Sequence, residues 1–382
     1  MISRQPGLKL GRIRGIEIRA QGSWFAVVAL ITWSFWARFT AQGFGGTEAL
    51  AMAAGGAVLF AASLLAHELA HALEGVHRGI PVRSITLFLF GGVTAIGEPR
   101  RPQDQFALTV VGPFTSLALG ATFGILATAA GRAGWTAVAE TVGMIGWLNV
   151  GLAAFNLLPG APLDGGRIVR AIAWRITGDP FRATRIAAQA GRVLGAVLVG
   201  IGLAQMFFSP AGIGDGLWLA FIGWFLSSAA NQELALARLQ ERLAGLPLGR
   251  LAGTAADPIP ADASIRDAIR GWFEPLHDDA FLVVDGGGRP VGVLRLDDVR
   301  TVPRSDDHLL VREAMRPLEE FPTLPAGAPA SGLLEQLGEH GAVFASEDGS
   351  PPSIVTPRSL LTRLGRMDEL DGALGSQRRG RP

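Results

Sequence analysis

Apolar residues dominate the first 230 positions of the chain, and beyond about residue 245 they break into strand-length pieces. The long runs predict six membrane-spanning helices, at about 22–40, 49–76, 105–130, 136–158, 184–208 and 214–232. The stretch 80–98, IPVRSITLFLFGGVTAIGE, does not fit a spanning helix. Ile85, Thr86, Phe88, Phe90, Val93 and Thr94 favour strands and Gly91-Gly92 marks a turn, so a short hairpin dipping toward the membrane is expected. Backbone polar groups at that depth must be covered by protein or line a wet cavity. Two readings stand side by side: an edge strand that accepts an extended peptide, or a cytosolic connector.

In the later part, Phe281–Val284 and Val291–Leu294 read as strands around an Asp285–Gly288 turn, flanked by helices at Ser264–Phe273 and Asp297–Arg300. A weaker copy follows: a helix at Ala330–His340, a strand at Ala342–Ala345, a turn at Glu347–Ser350 and a helix at Arg358–Leu364. The expected architecture is a multi-pass α-helical membrane protein with a C-terminal soluble α/β domain. Its parts are a membrane domain at 1–235, a tandem soluble domain at 245–365 and a disordered tail at 366–382.

Composition agrees with a membrane protein: 49% of residues are hydrophobic and 18% charged. The chain has no cysteine, which excludes disulfides, a thiol nucleophile and any Cys-ligated metal site. A net charge of +1 gives no sign of nucleic-acid binding. The first predicted helix follows a basic stretch, as a signal peptide would, but Trp33, Trp36 and Arg38 occupy the place of a small-residue cleavage site. An uncleaved first span is expected. Arginine and lysine distribution sets the topology. One side holds Arg4, Lys9, Arg12, Arg14 and Arg19, then Arg78, Arg83, Arg100 and Arg101, then Arg167, Arg170, Arg175, Arg182 and Arg185; the other holds Arg38 and Arg132. The positive-inside rule puts the N-terminus in the cytosol of a cell-membrane protein, and six spans return the C-terminal portion there.

Within the second predicted span lies His67-Glu68-Leu69-Ala70-His71. An ionisable side chain at membrane depth costs about 2.5–3.5 kcal/mol on insertion scales, so two imidazoles and a carboxylate there point to function. Residues four apart share a helix face, so His67 and His71 can grip one metal ion, and Glu68 is close enough to deprotonate a water held there. The bland alternative, core histidines with satisfied hydrogen bonds, fits a lone histidine better than a pair around a glutamate.

A catalytic zinc usually takes three protein ligands. On a continuous helix His77 points well away from His71, and Glu74 stands where a chain-reversing glycine would be needed, so His77 reads as the polar end of the span. His277, His308 and His340 fall in the soluble portion. Asp164 is the better candidate. Pro159 and Pro162 must end the fourth helix, and Gly165-Gly166 are expected to let the backbone turn sharply before a helix beginning near Arg167. Asp164 could instead merely cap that helix.

HELAH in a membrane span, followed by the NxxPxxPLDGG segment Asn156–Gly166, resembles the site-2 protease family of intramembrane zinc metalloproteases. The repeated α/β tail resembles the family branch that carries paired CBS domains, and the likeness spans about residues 15–365. The resemblance implies zinc (Zn2+) held by His67, His71 and Asp164, with Glu68 as general base. It implies that Asn156 holds the substrate backbone or the developing oxyanion and that 85–97 presents the substrate. It also implies a membrane-spanning protein substrate in the lipid bilayer and release of a cytosolic factor. Gly112-Pro113 resembles a helix-packing motif, and Ser116 stands where many relatives have Asn. In the tail, nucleotide-binding CBS domains pair a Thr or Ser with an Asp three residues on. Here the first copy has Arg295 and Asp298 and the second Thr356 and Ser359, so an adenine nucleotide and a structural or homodimerising role both remain open. The competing class is a non-proteolytic zinc-binding transporter or scaffold, in which Glu68 has no task as a base.

Overall fold

The computed structural model describes residues 7–89, 91–208, 213–251, 258–303, 306, 308–346 and 353–365. Arg4, Phe90, the expected turn at Glu347–Ser350 and the tail expected to be disordered from 366 lie outside the described residues. The chain divides into two compact units, one ending at Ala237 and the other starting at Arg238.

The first unit opens with two strands that hydropathy does not predict, β1 (Leu8–Ile13) and β2 (Ile16–Ala20). They join the expected hairpin, β3 (Val82–Phe88) and β4 (Gly91–Ile96), in one sheet of order β1-β2-β3-β4. Pairing is antiparallel except between β2 and β3, which run parallel. β4 is therefore an edge. On β2 the residues Ile16, Ile18 and Ala20 are buried while Glu17 and Arg19 between them are not, the alternation of a sheet covered on one face. That face packs with Trp24, Leu64 and Ala72 around Ile85 and Leu87.

Helices follow at α1 (Gly22–Ala41), α2 (Gly46–His77), α3 (Pro102–Arg132), α4 (Thr136–Asn156), α5 (Asp164–Thr177), α6 (Pro180–Phe208) and α7 (Ile213–Ala244). Five of them, α1, α2, α3, α4 and α6, are long and apolar enough to cross a membrane among the described residues. The sixth predicted span, 214–232, lies within α7, which is not one of these five; its apolar stretch is bounded by Asp215 at one end and by Asn231, Gln232 and Glu233 at the other.

Lipid gives helices no hydrophobic reason to associate, so close packing needs small residues. The buried residues of α2 fall at helical spacing in two runs, Ala49, Met52, Ala53, Gly56 and Ala57, then Ser63, Leu64, His67, Glu68, His71 and Ala72. The metal motif thus continues the packing stripe of its helix. On α3 the stripe is Gln105, Leu108, Thr109, Gly112, Pro113, Ser116 and Gly120. At Gly120 a Cβ would come within 2.8 Å of Val150 on α4, so the glycine lets these helices touch.

Between α4 and α5 the structure corrects one expectation. Gly165 and Gly166 sit inside the first turn of α5, which begins at Asp164 rather than near Arg167. They do not turn the chain. A Cβ on Gly165 would overlap the Leu158 and Leu157 carbonyls, and one on Gly166 would overlap Gly160 and Ala161. Their small size lets α5 press against the loop that ends α4.

The second unit holds two copies of one pattern. The first runs β5 (Ile259–Pro260), a helix from Ile265, β6 (Ala280–Val284), β7 (Pro290–Arg295) and a helix at Leu296–Thr301; β8 (Arg316–Pro317) extends its sheet to the order β5-β6-β7-β8. The second runs β9 (Thr323–Pro325), a helix at Leu333–His340, β10 (Val343–Ser346), β11 (Ser353–Val355) and a helix at 357–365. In both copies the first strand is parallel to the second and the second antiparallel to the third. The expected helix Ser264–Phe273 is α-helical only to Ala268 and continues as a π-helical turn, Ile269–Phe273. The side chains of Ala280, Leu282, Val293, Phe321, Ala342 and Phe344 form a core shared by the two copies.

Candidate metal centre and active site

One turn of α2 sets His67 Nε2 3.2 Å from His71 Nε2. Asp164, the first residue of α5, completes a triangle: its Oδ2 lies 3.2 Å from His67 Nε2 and 3.3 Å from His71 Nε2. The cap of α5 is Leu163, with no side-chain cap bond, so Asp164 faces the histidines instead of capping its own helix. All three residues are buried.

The donor chemistry fits a metal. His71 Nδ1 donates to the Leu108 carbonyl at 2.7 Å, and because a carbonyl only accepts, the proton must be on Nδ1. In the neutral ring Nε2 then carries a lone pair. His67 Nδ1 lies 2.9 Å from Ser116 Oγ, which can take its proton in the same way. Two lone pairs and a carboxylate oxygen therefore face one another at van der Waals distance, an arrangement that a cation resolves. Tetrahedral zinc with ligands at about 2.0–2.1 Å needs ligand atoms roughly 3.3 Å apart, close to the observed edges. Outer partners of this kind fix the tautomer and orientation of a ligating histidine.

Two glycines shape the centre. A Cβ on Gly112 would lie 2.7 Å from His67 Nε2 and closer still to His71 Nε2. Gly112, which the sequence suggests only as a helix-packing residue, therefore faces the ion position itself. A Cβ on Gly92 of β4 would lie 2.7 Å from Glu68 Cδ and 2.9 Å from Oε1. Glu68 is buried, and Thr94 on the same strand donates to its Oε2 at 2.7 Å. The sequence marks Gly112 and Ser116 as positions of a packing motif but not as neighbours of the histidines; the contacts of Leu108, made through its backbone carbonyl, and of Thr94 have no signal in the sequence.

Asn156 closes α4, half buried, and takes no part in the hydrogen bonds of the cluster. A different amide is buried in the bundle: Asn149 donates to Ser63 Oγ at 3.1 Å, one turn before His67. His77, His277 and His308 are exposed and, among the described residues, no metal cluster includes them or His340.

Two imidazoles and a carboxylate around one point, a second carboxylate next to them in sequence, and a bundle of membrane-length helices define a membrane-embedded metallohydrolase. Comparison with known proteins specifies the class. The model of peptidase family M50 matches residues 124–198, and that of the CBS domain matches residues 257–304. Rip3 of Mycobacterium tuberculosis, which carries a zinc metalloprotease name, is 39% identical over 92% of this chain and 91% of its own length. The similarly named sll0528 of Synechocystis is 34% identical over 78% of this chain and 79% of its own. The solved site-2 protease of Methanocaldococcus jannaschii is 22% identical, with a TM-score of 0.42, over 60% of this chain and 95% of that one.

The chain belongs to peptidase family M50, the intramembrane zinc metalloproteases, and carries a CBS domain in its C-terminal unit. The transporter or scaffold reading is not favoured by these relatives.

Proposed function

We propose that His67, His71 and Asp164 hold the zinc, that Glu68 is the general base, and that the chain hydrolyses a peptide bond in a membrane-tethered protein. The observation that carries this is the triangle of His67 Nε2, His71 Nε2 and Asp164 Oδ2, with edges of 3.2–3.3 Å, beside a buried glutamate. Zinc bound there supplies a Lewis acid that polarises the scissile carbonyl and acidifies water. Glu68 takes the proton of the attacking water and returns it to the leaving amine. Asn156, at the end of α4, is proposed to donate to the developing oxyanion, an effect typically worth about 3–4 kcal/mol.

A helix hides its scissile bonds in its own hydrogen-bond ladder, so the substrate must be unwound locally. The free edge of β4 offers such a segment backbone partners by strand addition. Residues 1–235 are proposed as the protease domain and 245–365 as a CBS pair. The arginine distribution supports a cell-membrane protein with both termini in the cytosol, which requires α7 to cross as a sixth span.

Zinc content of the purified chain, with cleavage of membrane-tethered reporters, tests the reading. We expect about one zinc per chain. Asp164→Asn should weaken zinc binding, and Glu68→Gln should abolish cleavage while retaining zinc. Zinc without cleavage by the native chain sinks the protease assignment; absence of zinc sinks the ligand set.

A further inference from the structure

Glu68 projects from α2 toward β4, and the strand meets it with one small and one polar residue, Gly92 and Thr94. Gly92 and Thr94 are two apart, so they share a strand face, while Val93 between them and Ala95 after them are exposed. At Gly92 the strand comes so near the carboxylate that a methyl group would not fit. At Thr94 it offers a hydroxyl, which donates to Glu68 Oε2 at 2.7 Å and lies 3.4 Å from the Glu68 carbonyl. No other side-chain hydrogen bond to the Glu68 carboxylate is found among the described residues. A glutamate has three rotatable bonds, and a base that swings freely spends little time in the geometry proton transfer needs.

We propose that Thr94 is a positioning residue for the general base: its hydroxyl holds one oxygen of Glu68 and ties the base to the strand β4. This inference rests on the reading of Glu68 as base. Its consequence is mechanical. β4 is the sheet edge to which an extended segment would add, so the strand that registers the substrate also registers the base. The other carboxylate oxygen is left for the attacking water. Thr94 spends its hydroxyl on Glu68, so its loss should slow the chemical step without weakening substrate binding.

The experiment compares Thr94→Val, which keeps the β-branched shape and removes the hydroxyl, with Thr94→Ser, which keeps the hydroxyl. Both are made in the full chain and assayed on one membrane-tethered reporter beside Glu68→Gln. For Thr94→Val we expect kcat to fall about 10- to 100-fold, the usual cost of losing a partner that orients a site group, with zinc content unchanged. KM should stay within about twofold, and Thr94→Ser should stay within about threefold of the native kcat. Native kcat in Thr94→Val, or a serine variant as slow as the valine one, overturns the proposal, as does a change confined to KM. If Thr94→Val does not accumulate, Thr94→Ala against Thr94→Ser makes the same comparison. Glu68→Gln separates the levels. If it stays active, the base assignment falls and this inference with it; if it is inactive while Thr94→Val is unimpaired, this inference alone falls.

Discussion

The centre in the membrane unit and the charged cluster in the tail are both built from motif positions, and they differ in how their polar groups are satisfied. In the membrane unit, His71 Nδ1 donates outward to the Leu108 carbonyl, His67 Nδ1 faces the Ser116 hydroxyl, and two imidazole nitrogens and a carboxylate oxygen converge inward. In the tail, Asp298 receives Arg295 Nε at 2.7 Å and Nη2 at 2.8 Å, and Arg316 Nε at 3.1 Å. Arg295 Nη1 also donates to the His340 carbonyl at 3.1 Å. Thr356 donates to Asp278. The first cluster is electrostatically incomplete without a cation, whereas the second completes itself. A buried group of acceptors with no donor among them points to a ligand, and a group of paired opposite charges points to structure.

The largest effect expected from this contrast is at Gly112. Gly112→Ala would place a methyl group against the Nε2 atoms of both histidines, so zinc content should fall to background and cleavage with it, even though alanine is the better helix former. Retention of stoichiometric zinc by this variant would show that the ion sits elsewhere. Ser116→Ala is gentler. It leaves the three ligands in place and removes the group beside His67 Nδ1, so zinc affinity should drop about 10- to 100-fold, measured by competition with a chelator.

These two residues also mark how far the sequence is legible. The histidine pair stands out because a helical repeat of four within one continuous apolar run leaves little other reading. Asp164 stands out because two prolines must end a helix just before it. The hairpin at Val82–Ile96 is legible from strand formers around a glycine pair. In contrast, β1 and β2 are not, because Leu8–Ala20 interleaves basic and apolar residues in too short a stretch to separate a strand from a charged flank. Gly112 is a glycine in an apolar helix like several others, and only the packing of α3 on α2 shows which atoms it faces. Gly165-Gly166 mislead for the same reason. Sequence reports that a residue is small, and whether smallness serves a turn or a close approach depends on a neighbour more distant in the chain.

The smallest effect falls on the tail, and it has a pH sign. Burial works to raise the Asp298 carboxyl, but the Arg295 and Arg316 guanidiniums overcome it and hold the group below the usual carboxylate range. A folded-state pKa below the unfolded value contributes stability that is present above the unfolded pKa, near 4, and is lost as pH falls through the folded one. Hydrogen-exchange protection of β6 and β7 in the full chain should therefore weaken as pH drops below about 4. Asp298→Asn should flatten that dependence. It should cost roughly 1–2 kcal/mol near neutrality, discounted because solvent screens the half-exposed Arg316. The same variant sharpens the nucleotide question. An adenine nucleotide seated at Arg295 and Asp298 would have to break their pairing, so AMP or ATP should add no protection to the native tail. Added protection that disappears in Asp298→Asn would mean that the pair opens for a ligand, and the tail would then join the metal centre as a site completed from outside.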